Sequence, residues 1–473
     1  MNMNISFDLD LTSTPIVTVE QQYYAKYLAA QTPKVAAWLG VSGFSAKPHT
    51  FALIPDDNGG LAQVVVGTKA IGIKAVGTTA AADIFALSHL PLALPHGTYR
   101  LESHTNTDAD IALDSYVAAL SWLLGCYQFS RYQSSPKRAS TLVMPPSPAA
   151  TRAIEMAEAI TLTRDLVNTP TEDMGPAHLS ETAKNIAAEF GASYREIVGE
   201  ALLTENFPAI HAVGRASHRP PRLIEIIWGD ISHPKIAIVG KGVCFDTGGL
   251  NIKGADGMRN MKKDMGGAAH AIALARLIMQ TKLPIHLHML VPAVENAIAG
   301  NAYRPGEIVA TRAGINIEIG NTDAEGRVVL ADALALAAET KPDLIIDFAT
   351  LTGAARVALG PELPALFTND DAWYEKLNSA ATQSQDPIWR MPLWQPYHEM
   401  IKSKVGDIVN SGGPQAGAIT AALFLERFIP DGQAWMHIDT FAWNLSARAG
   451  RPYGGEALSL RAVFTMLATQ FQK

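Results

Sequence analysis

The chain has 473 residues, of which 48% are hydrophobic, and a formal net charge of -7. This length exceeds what one hydrophobic core usually serves, so two domains are expected. The acidic balance argues against nucleic acid as the main partner, because no basic excess is available to displace the counterions of a phosphate backbone. Cys126 and Cys244 are the only cysteines, which excludes a disulfide framework and a cysteine-rich zinc site.

The sequence predicts neither a secretory signal at its start nor a membrane-spanning segment. Residues 1–10 contain two aspartates and no basic residue, which does not fit a secretory signal. No apolar run approaches the roughly 20 residues that a membrane-spanning helix needs. We therefore expect a cytoplasmic protein with no membrane association.

Residues 1–145 alternate between short apolar strands and helices, and they predict a small α/β domain. Few acidic, histidine or cysteine side chains cluster there, so the expected role is assembly or regulation. The sequence Pro-Pro-Ser-Pro at 145–148 indicates a linker. With the helix predicted at 149–167, it makes a connecting segment at 146–170. The strands predicted before it are 51–55, 63–67 and 97–102, and a helix is predicted at 111–132.

Residues 171–473 form the predicted larger domain, in which apolar strands alternate with helices. This alternation is typical of an α/β fold with a mostly parallel central sheet covered by helices on both faces. In such a sheet the functional site lies at the carboxyl ends of the strands. Strands are predicted at 223–228, 236–240, 286–291, 344–350 and 435–439, and helices at 266–280, 326–340 and 417–428.

The sequence Asn-Thr-Asp-Ala-Glu-Gly-Arg at 321–327 places two carboxylates two residues apart. If the segment is extended, Asp323 and Glu325 project from the same side. The apolar run at 328–338 predicts a buried helix directly behind them, where the two carboxylates would repel each other unless cations neutralise them. Arg327 would lie in the first turn of that helix, where the dipole disfavours a cation unless an anion is bound.

A purely structural interpretation of this segment is equally open. Asp323 could cap the helix, Glu325 could lie in its first turn, and Arg327 could pair with either carboxylate. A second cluster of polar residues upstream favours a metal site. The glycine-rich loop at 240–254 follows a predicted strand and contains Lys241, Asp246 and Lys253.

Asp264 lies at the start of the next predicted helix. A parallel sheet would gather these loops and Asp323 and Glu325 at one edge. Four carboxylates match two divalent cations, which together can activate water and polarise a carbonyl. A lysine could join such a centre only as a neutral amine.

Alternatives remain for the single residues of the second cluster. Lysines at 241 and 253 could be solvated, and Asp264 could be a helix cap. Other chemistries lack their motifs, since the phosphate-binding loop, the helical zinc-protease motif and the Gly-x-Ser-x-Gly elbow are all missing.

With both clusters considered, the chain resembles the leucyl aminopeptidase (cytosol aminopeptidase) family over roughly residues 150–460. The Asn-Thr-Asp-Ala-Glu-Gly-Arg sequence is highly specific to that family. The resemblance implies a small N-terminal α/β domain, a larger catalytic domain and a homohexamer. Further matching segments are Val-Gly-Lys-Gly-Val-Cys-Phe-Asp-Thr-Gly-Gly at 239–249, Lys-Asp-Met-Gly-Gly-Ala-Ala at 263–269, Arg-Pro-Gly-Glu at 304–307 and Ala-Thr-Leu-Thr-Gly-Ala at 349–354.

The resemblance also implies a metal-dependent exopeptidase that releases N-terminal residues from peptides with a free amino terminus. Two divalent ions are implied, zinc or manganese, with magnesium or cobalt as alternatives. One ion would be held by Lys241, Asp246, Asp264 and Glu325, and the other by Asp246, Asp323 and Glu325.

In that family's chemistry, a metal-bridged hydroxide attacks the scissile carbonyl. By resemblance, Lys253 would stabilise the oxyanion and Arg327 would hold a bicarbonate that acts as the base. Leu351 and Gly353 would contact the substrate through their backbone. Met261 and Thr350 would line the pocket for the first side chain.

Two further hypotheses compete with general peptide trimming. The chain could have a non-catalytic role, in DNA binding or assembly, carried by the N-terminal domain. It could also hydrolyse other small conjugates such as Cys-Gly. The segment at 450–461 matches the family's pocket-closing segment poorly, so a preference for leucine is not implied.

Overall fold

The computed structural model of the chain describes residues 4–71, 81–102 and 113–472. The chain divides into two compact units. The first comprises Met1–Thr161 and Ser446–Tyr453, and the second comprises Leu162–Leu445 and Gly454–Lys473. A short segment near the C-terminus therefore belongs to the first unit, which the sequence did not indicate.

The first unit is an α/β unit, as the sequence predicts. Within its described residues a six-stranded sheet has the order β1-β8-β7-β2-β4-β3, in which only β3 and β4 pair antiparallel. The elements are β1 (Ile5–Ser6), β2 (Thr14–Glu20), α1 (Tyr24–Ala29), α2 (Pro33–Val41), β3 (Phe51–Pro55), β4 (Leu61–Thr68), β5 (Ala70–Ile71), β6 (Ala81–Ala82), β7 (Thr98–Leu101), α3 (Ser115–Cys126) and β8 (Thr141–Val143). Helix α4 (Pro148–Asn168) begins in this unit and continues past its boundary at Thr161.

Helix α3 is shorter than the helix predicted at 111–132, whose first two residues lie outside the described part of the chain. The side chain of Asp114 caps its start by accepting a hydrogen bond from the backbone N–H of Val117 at 2.8 Å. The helix ends at Tyr127, where the backbone becomes extended. The polar cap and the extended residue stop a helix that the apolar pattern alone would continue.

The second unit contains the remaining elements, and most predicted ones appear within two residues of their expected bounds. They are α5 (Pro176–Glu189), β9 (Ser193–Val198), α6 (Ala201–Thr204), α7 (Pro208–Gly214), β10 (Arg222–Trp228), β11 (Lys235–Gly240), β12 (Gly242–Asp246), α8 (Ala255–Met258), α9 (Gly266–Gln280), β13 (His286–Asn296), β14 (Ile308–Val309), β15 (Ile317–Glu318), α10 (Glu325–Glu339), β16 (Leu344–Ala349), α11 (Gly353–Leu359), β17 (Ala365–Thr368), α12 (Asp371–Gln383), β18 (Trp389–Arg390), β19 (Ile408–Val409), α13 (Gly417–Glu426), β20 (Trp435–Asp439), β21 (Trp443–Asn444), β22 (Gly454–Gly455) and α14 (Leu460–Phe471).

Among the described residues of the second unit, nine strands form the central sheet. Its order is β18-β17-β20-β16-β11-β13-β10-β9, and β12 also pairs with β13. The central strands β20, β16, β11 and β13 pair in parallel, whereas β17 with β20 and β10 with both β13 and β9 pair antiparallel. The predicted mostly parallel sheet is confirmed.

Helices α9 and α10 cover opposite faces of this sheet. Val239 of β11 lies in one core cluster with Val328 of α10. The next residue, Gly240, faces α9 so closely that a Cβ there would meet the side chain of Ala271 at 2.7 Å. Because successive strand residues point to opposite faces, the two helices lie on the two sides. No helix in the described part of the chain is long and apolar enough to cross a membrane.

Candidate metal centre

The carboxyl ends of the central strands deliver polar side chains to one edge of the sheet. Lys241 directly follows β11, Asp246 ends β12, Thr350 follows β16 and Asp439 ends β20. Asp264 comes from a short 3-10 turn just before α9 and is 3% exposed. In parallel sheets this edge carries the functional site, and here it gathers both of the clusters that the sequence singles out.

The acidic segment is a turn that runs into a helix, and it is not extended as the sequence-based interpretation assumed. Glu325 is the first residue of α10, and Asp323 precedes it in the turn. The backbone N–H of Asp323 donates to the side-chain oxygen of Asn321 at 2.8 Å, which stabilises the turn. The two carboxylates converge because of this turn, and not because of strand alternation.

Asn410, which sequence reasoning missed, stabilises the same turn. Its Nδ2 donates to the carbonyl oxygens of Asn321 and Ala324 at 2.7 and 3.2 Å. Its Oδ1 accepts from the backbone N–H groups of Gly320 and Asn321 at 2.8 and 3.1 Å. A buried amide whose donors and acceptor are all used fixes the backbone that carries both acids.

Three carboxylates lie close enough together to hold one metal ion. Asp246, Asp323 and Glu325 each offer a ligand oxygen within 4.8 Å of the others. Glu325 is 1% exposed, and its Oε2 has no hydrogen-bond partner among the described residues. Buried oxygens of this kind need a cation or a proton, so the donor set fits hard divalent ions.

Two lysines neutralise part of this charge. Nζ of Lys241 lies 2.8 Å from Oδ2 of Asp264 and 2.9 Å from Oε1 of Glu325. Nζ of Lys253 lies 2.8 Å from Oδ2 of Asp246 and also contacts Asp323. Four carboxylates thus surround two ammonium groups, which leaves an excess of negative charge at the centre.

Burial and the excess of negative charge at the centre raise the pKa values of two of its carboxyl groups. Burial, reinforced by the carboxylate of Asp246, raises the pKa of Glu325 to about 8. Burial and the nearby Asp264 raise the pKa of Asp246 to about 6. Burial alone would lower the pKa of Lys241, but Asp264 and Glu325 raise it above its usual value. Protons therefore supply the missing positive charge, and binding of divalent ions would release them.

Arg327 is a buried cation in the first turn of α10. Its guanidinium carbon lies 6.0 Å from the centroid of the Phe424 ring. Burial lowers its pKa to about 10. Within the described residues its side chain makes no hydrogen bond or ion pair with another side chain or with the backbone. A buried cation at a helix N-terminus, together with the positive end of the helix dipole, forms a site that can bind an anion.

Two more residues at the strand ends shape the centre and escaped the sequence reasoning. Nδ2 of Asn296, at the end of β13, donates to Oδ1 of Asp246 and to the carbonyl oxygen of Thr322 at 2.8 and 2.9 Å. Asp439 accepts from the backbone N–H of Leu351 at 3.0 Å and from Oγ1 of Thr352 at 2.6 Å. A polar residue at the carboxyl end of a buried parallel strand was the available signal for both.

A cavity of about 630 Å³ opens onto the carboxylates. Its wall includes all of the metal-centre residues discussed so far, namely Lys241, Asp246, Lys253, Asp264, Asp323 and Glu325. It also includes the residues that the family resemblance assigns to the substrate, which are Met261, Thr350, Leu351 and Gly353. Arg327 does not contribute to the wall.

One part of the cavity wall is cationic. Nζ of Lys263 lies 4.8 Å from the centroid of the Phe441 ring, and the guanidinium carbon of Arg356 lies 5.1 Å from the same centroid. All three residues line the cavity. Lys263 is 6% exposed, and burial lowers the pKa of its ammonium group to about 8.

The fold and the site together define an α/β enzyme with a divalent-metal centre at the carboxyl edge of a mostly parallel sheet. Residues 161–464 match the catalytic domain of the cytosol aminopeptidase family, and residues 14–145 match the M17 aminopeptidase N-terminal domain. The chain belongs to this family and is an aminopeptidase, a metal-dependent hydrolase. The resemblance inferred from the motifs is confirmed.

Several relatives are similar over most of the chain. A probable cytosol aminopeptidase of Roseiflexus castenholzii is 42% identical over 363 residues, which are 73% of this chain and 74% of the relative. One of Xylella fastidiosa is 35% identical over 491 residues, covering 96% and 98%. The crystal structure of a Coxiella burnetii cytosol aminopeptidase is 46% identical, with a TM-score of 0.91 and 99% coverage of both chains.

A structure of the bottromycin maturation enzyme BotP in complex with Mn is also similar. It is 30% identical, with a TM-score of 0.84, and the match covers 97% of this chain and all of that one. The two chains are therefore similar in amino-acid sequence as well as in fold, over nearly their whole length.

Proposed function

We propose that this aminopeptidase uses two divalent ions to release the first residue of peptides that have a free amino terminus. The convergence of Asp246, Asp323 and Glu325 within 4.8 Å of one another carries this proposal. One ion would be held by Lys241, Asp246, Asp264 and Glu325. The other would be held by Asp246, Asp323 and Glu325, so that two carboxylates serve both ions.

The donor set supports small, hard divalent ions. Zinc or manganese is our proposal, with magnesium and cobalt as replacements, and the complex of the similar enzyme BotP with Mn supports manganese. When bound, such a pair polarises a carbonyl and lowers the pKa of a water molecule. Lys241 could act as a ligand only after losing its proton, and its pairing with Asp264 and Glu325 opposes that loss until metal binds.

Selectivity for a free amino terminus would follow from the metal centre itself. The free amine of the substrate would bind one of the two ions, as the family resemblance implies. A blocked amino terminus cannot serve as this ligand. The backbone of Leu351 and Gly353 would position the peptide, and Met261 and Thr350 would contact its first side chain.

Two cations have proposed roles in the reaction itself. Lys253 lines the cavity and would stabilise the oxyanion that forms as the scissile carbonyl is attacked. Arg327 would hold a bicarbonate, which supplies a proton acceptor near the reacting groups. The buried guanidinium without a partner among the described residues supports an anion at Arg327.

We further propose that the enzyme is cytoplasmic and acts as a homohexamer. Residues 1–145 would serve assembly or regulation, residues 146–170 would connect the parts, and residues 171–473 would carry the chemistry. The names of the relatives, cytosol aminopeptidases, support the location.

The test is metal content together with turnover of aminoacyl amides that differ in the first residue, before and after chelation. The panel includes Cys-Gly. We expect bound divalent metal, activity that chelation abolishes and metal restores, and no cleavage of N-acetylated substrates. Asp323→Asn should remove activity, whereas Asp256→Asn, which changes another acid of the cavity wall, should keep it. Full activity of the Asp323→Asn variant or of chelated protein would overturn the proposal.

A further inference from the structure

The cavity has a second charged region beside the acidic centre. We call it the cationic wall, and it consists of Lys263, Arg356 and Phe441. The ring of Phe441 lies 4.8 Å from Nζ of Lys263 and 5.1 Å from the guanidinium carbon of Arg356, as measured from its centroid. The face of an aromatic ring attracts cations, which helps to keep two like charges close together.

Neither cation of this wall forms a salt bridge with a carboxylate in the part of the chain that the structure describes, and Asp264 and Asp439 act on Lys263 only through their electrostatic field. Two acids also line the cavity nearby, Asp256 and Asp439. The carboxylate of Asp439 is already used by the backbone N–H of Leu351 and by the hydroxyl of Thr352. Asp256 is exposed on α8 and forms no ion pair with either cation.

An unpaired cation at a buried position is costly. Lys263 is 6% exposed, so its ammonium group has lost most of its water. Its Nζ donates no hydrogen bond to a protein acceptor among the described residues, although the side chain lines an open cavity. A ligand whose carboxylate lay beside Lys263 would give the ammonium group both an ion pair and hydrogen bonds.

The cationic wall is close to where the substrate's amino terminus is expected. Lys263 directly precedes Asp264, and consecutive Cα atoms are about 3.8 Å apart. In a peptide the first side chain branches from the carbon that bears the amino group. With that amino group at the metal centre, the first side chain lies in the cavity that Lys263 also lines.

We propose that the cationic wall selects peptides whose first residue is aspartate or glutamate. The side-chain carboxylate pairs with Lys263 and Arg356, while the amino group lies at the metal centre. Lysine or arginine in first position is disfavoured by repulsion from the same wall, and leucine leaves both cations unpaired. This inference rests on the proposed function and adds its substrate class.

The test compares kcat/KM for aminoacyl amides that begin with Glu, Asp, Leu and Lys, in the metal-loaded enzyme. We expect Glu or Asp to be cleaved at least as well as Leu, and Lys poorly. Lys263→Met keeps the length of the side chain but removes its charge. It should lower the Glu-to-Leu ratio of kcat/KM by about 10- to 100-fold, the range that loss of a charged hydrogen bond gives.

Lys262→Met is the matched control. Lys262 is the adjacent lysine, does not line the cavity, and donates to the carbonyl oxygen of Asn168 at 2.5 Å. Its substitution should leave the Glu-to-Leu ratio unchanged. Arg356→Gln, at an exposed position, gives a second variant that tests the same wall if the buried substitution prevents folding.

The outcomes separate this inference from the proposed function. A wild-type enzyme that cleaves Leu but neither Glu nor Asp would overturn the inference and leave the peptidase intact. So would Lys263→Met and Arg356→Gln variants with an unchanged Glu-to-Leu ratio. No turnover of any substrate by the metal-loaded enzyme would overturn the proposed function, and the inference with it.

Discussion

Nζ of Lys241 lies 2.9 Å from Oε1 of Glu325, and both side chains are almost completely buried. The lysine comes from the end of a strand and the glutamate from the first residue of a helix 84 positions later in the numbering. The ammonium group neutralises part of a carboxylate cluster that would otherwise repel itself. Removing only one partner of such a buried ion pair leaves an uncompensated buried charge, and the pair defines a site that divalent ions would compete for.

Glu325→Gln should remove metal and activity without unfolding the protein. The amide keeps the shape of the side chain but loses the charge that both proposed ions would share. We expect kcat/KM to fall by at least about 100-fold, since even residues outside the coordination shell cost up to that much. Metal analysis should show fewer than two ions per chain.

The stability of the Glu325→Gln variant is a second measurement of the role of this residue. In the presence of a chelator, the carboxyl group of Glu325 is largely protonated near neutral pH because its pKa is raised to about 8, so the neutral amide replaces a neutral group and the midpoint of unfolding should not decrease strongly. Retention of wild-type activity and metal content by Glu325→Gln would contradict the assignment of this residue.

Gly326→Ala should impair the enzyme although alanine favours helices. Alanine normally stabilises a helix by roughly 0.5–1 kcal/mol relative to glycine. Here a Cβ would lie 2.5 Å from Cε and 2.7 Å from Nζ of Lys241, so the lysine would have to move. We expect a large loss of kcat/KM with a folded protein, as judged by circular dichroism.

Gly257→Ala is the matched control for that substitution. Gly257 also lines the cavity, but a Cβ there would meet nothing closer than 3.8 Å. It should retain most of the activity. Equal activities of the two alanine variants would mean that the position of Lys241 is unimportant.

Asn410→Ala should loosen the turn that carries Asp323 and Glu325. The change removes a hydrogen-bond partner from four backbone groups of this turn, of which the carbonyl oxygen of Asn321 still accepts from the backbone N–H of Ala324 at 3.2 Å. Unsatisfied buried groups cost about 1–3 kcal/mol each, so we expect a clearly lower free energy of unfolding and weaker metal binding. Metal titration and urea denaturation measure the two effects.

An exposed asparagine provides the comparison for Asn410. Asn378 lies on the surface of α12, and Asn378→Ala should change neither metal affinity nor stability by more than about 0.5 kcal/mol. If Asn410→Ala behaved in the same way, the turn would not depend on this amide.

His437 should make the stability depend on pH. It is fully buried, and its Nδ1 lies 2.6 Å from Oδ1 of Asp347. Burial alone lowers the pKa of His437, but the carboxylate of Asp347 raises it above its usual value. A histidine with a raised pKa in the folded state adds stability below the unfolded pKa of about 6.5, and this stability is lost as the pH rises through the folded pKa.

We therefore expect His437→Gln to cost more unfolding free energy at pH values below about 6.5 than well above it. Urea denaturation in the presence of a chelator measures this without a contribution from metal binding. Asp347→Asn, which removes the other partner, should flatten the same pH dependence. A pH-independent cost for His437→Gln would contradict the charged pair.

The strand and helix pattern of the second unit was predictable because it depends on local sequence. Apolar runs predicted β11, β16, β20 and α9 almost to the residue. The clearest failure, the length of α3, came from a single polar cap at Asp114 and from the extended conformation of Tyr127. Whether Asp114 makes the capping hydrogen bond, and where the backbone leaves the helical conformation, is not shown by the apolar pattern.

By itself, the sequence predicted which residues would carry the chemistry, because strand ends of a parallel sheet must meet at one edge and carboxylates there require cations. Only the tertiary structure decided which cation pairs with which acid. It also revealed that Asn410 stabilises a turn 89 residues earlier, and that Lys263 faces the cavity. Such contacts join segments that are distant in the chain, and their geometry depends on how the packed elements approach one another.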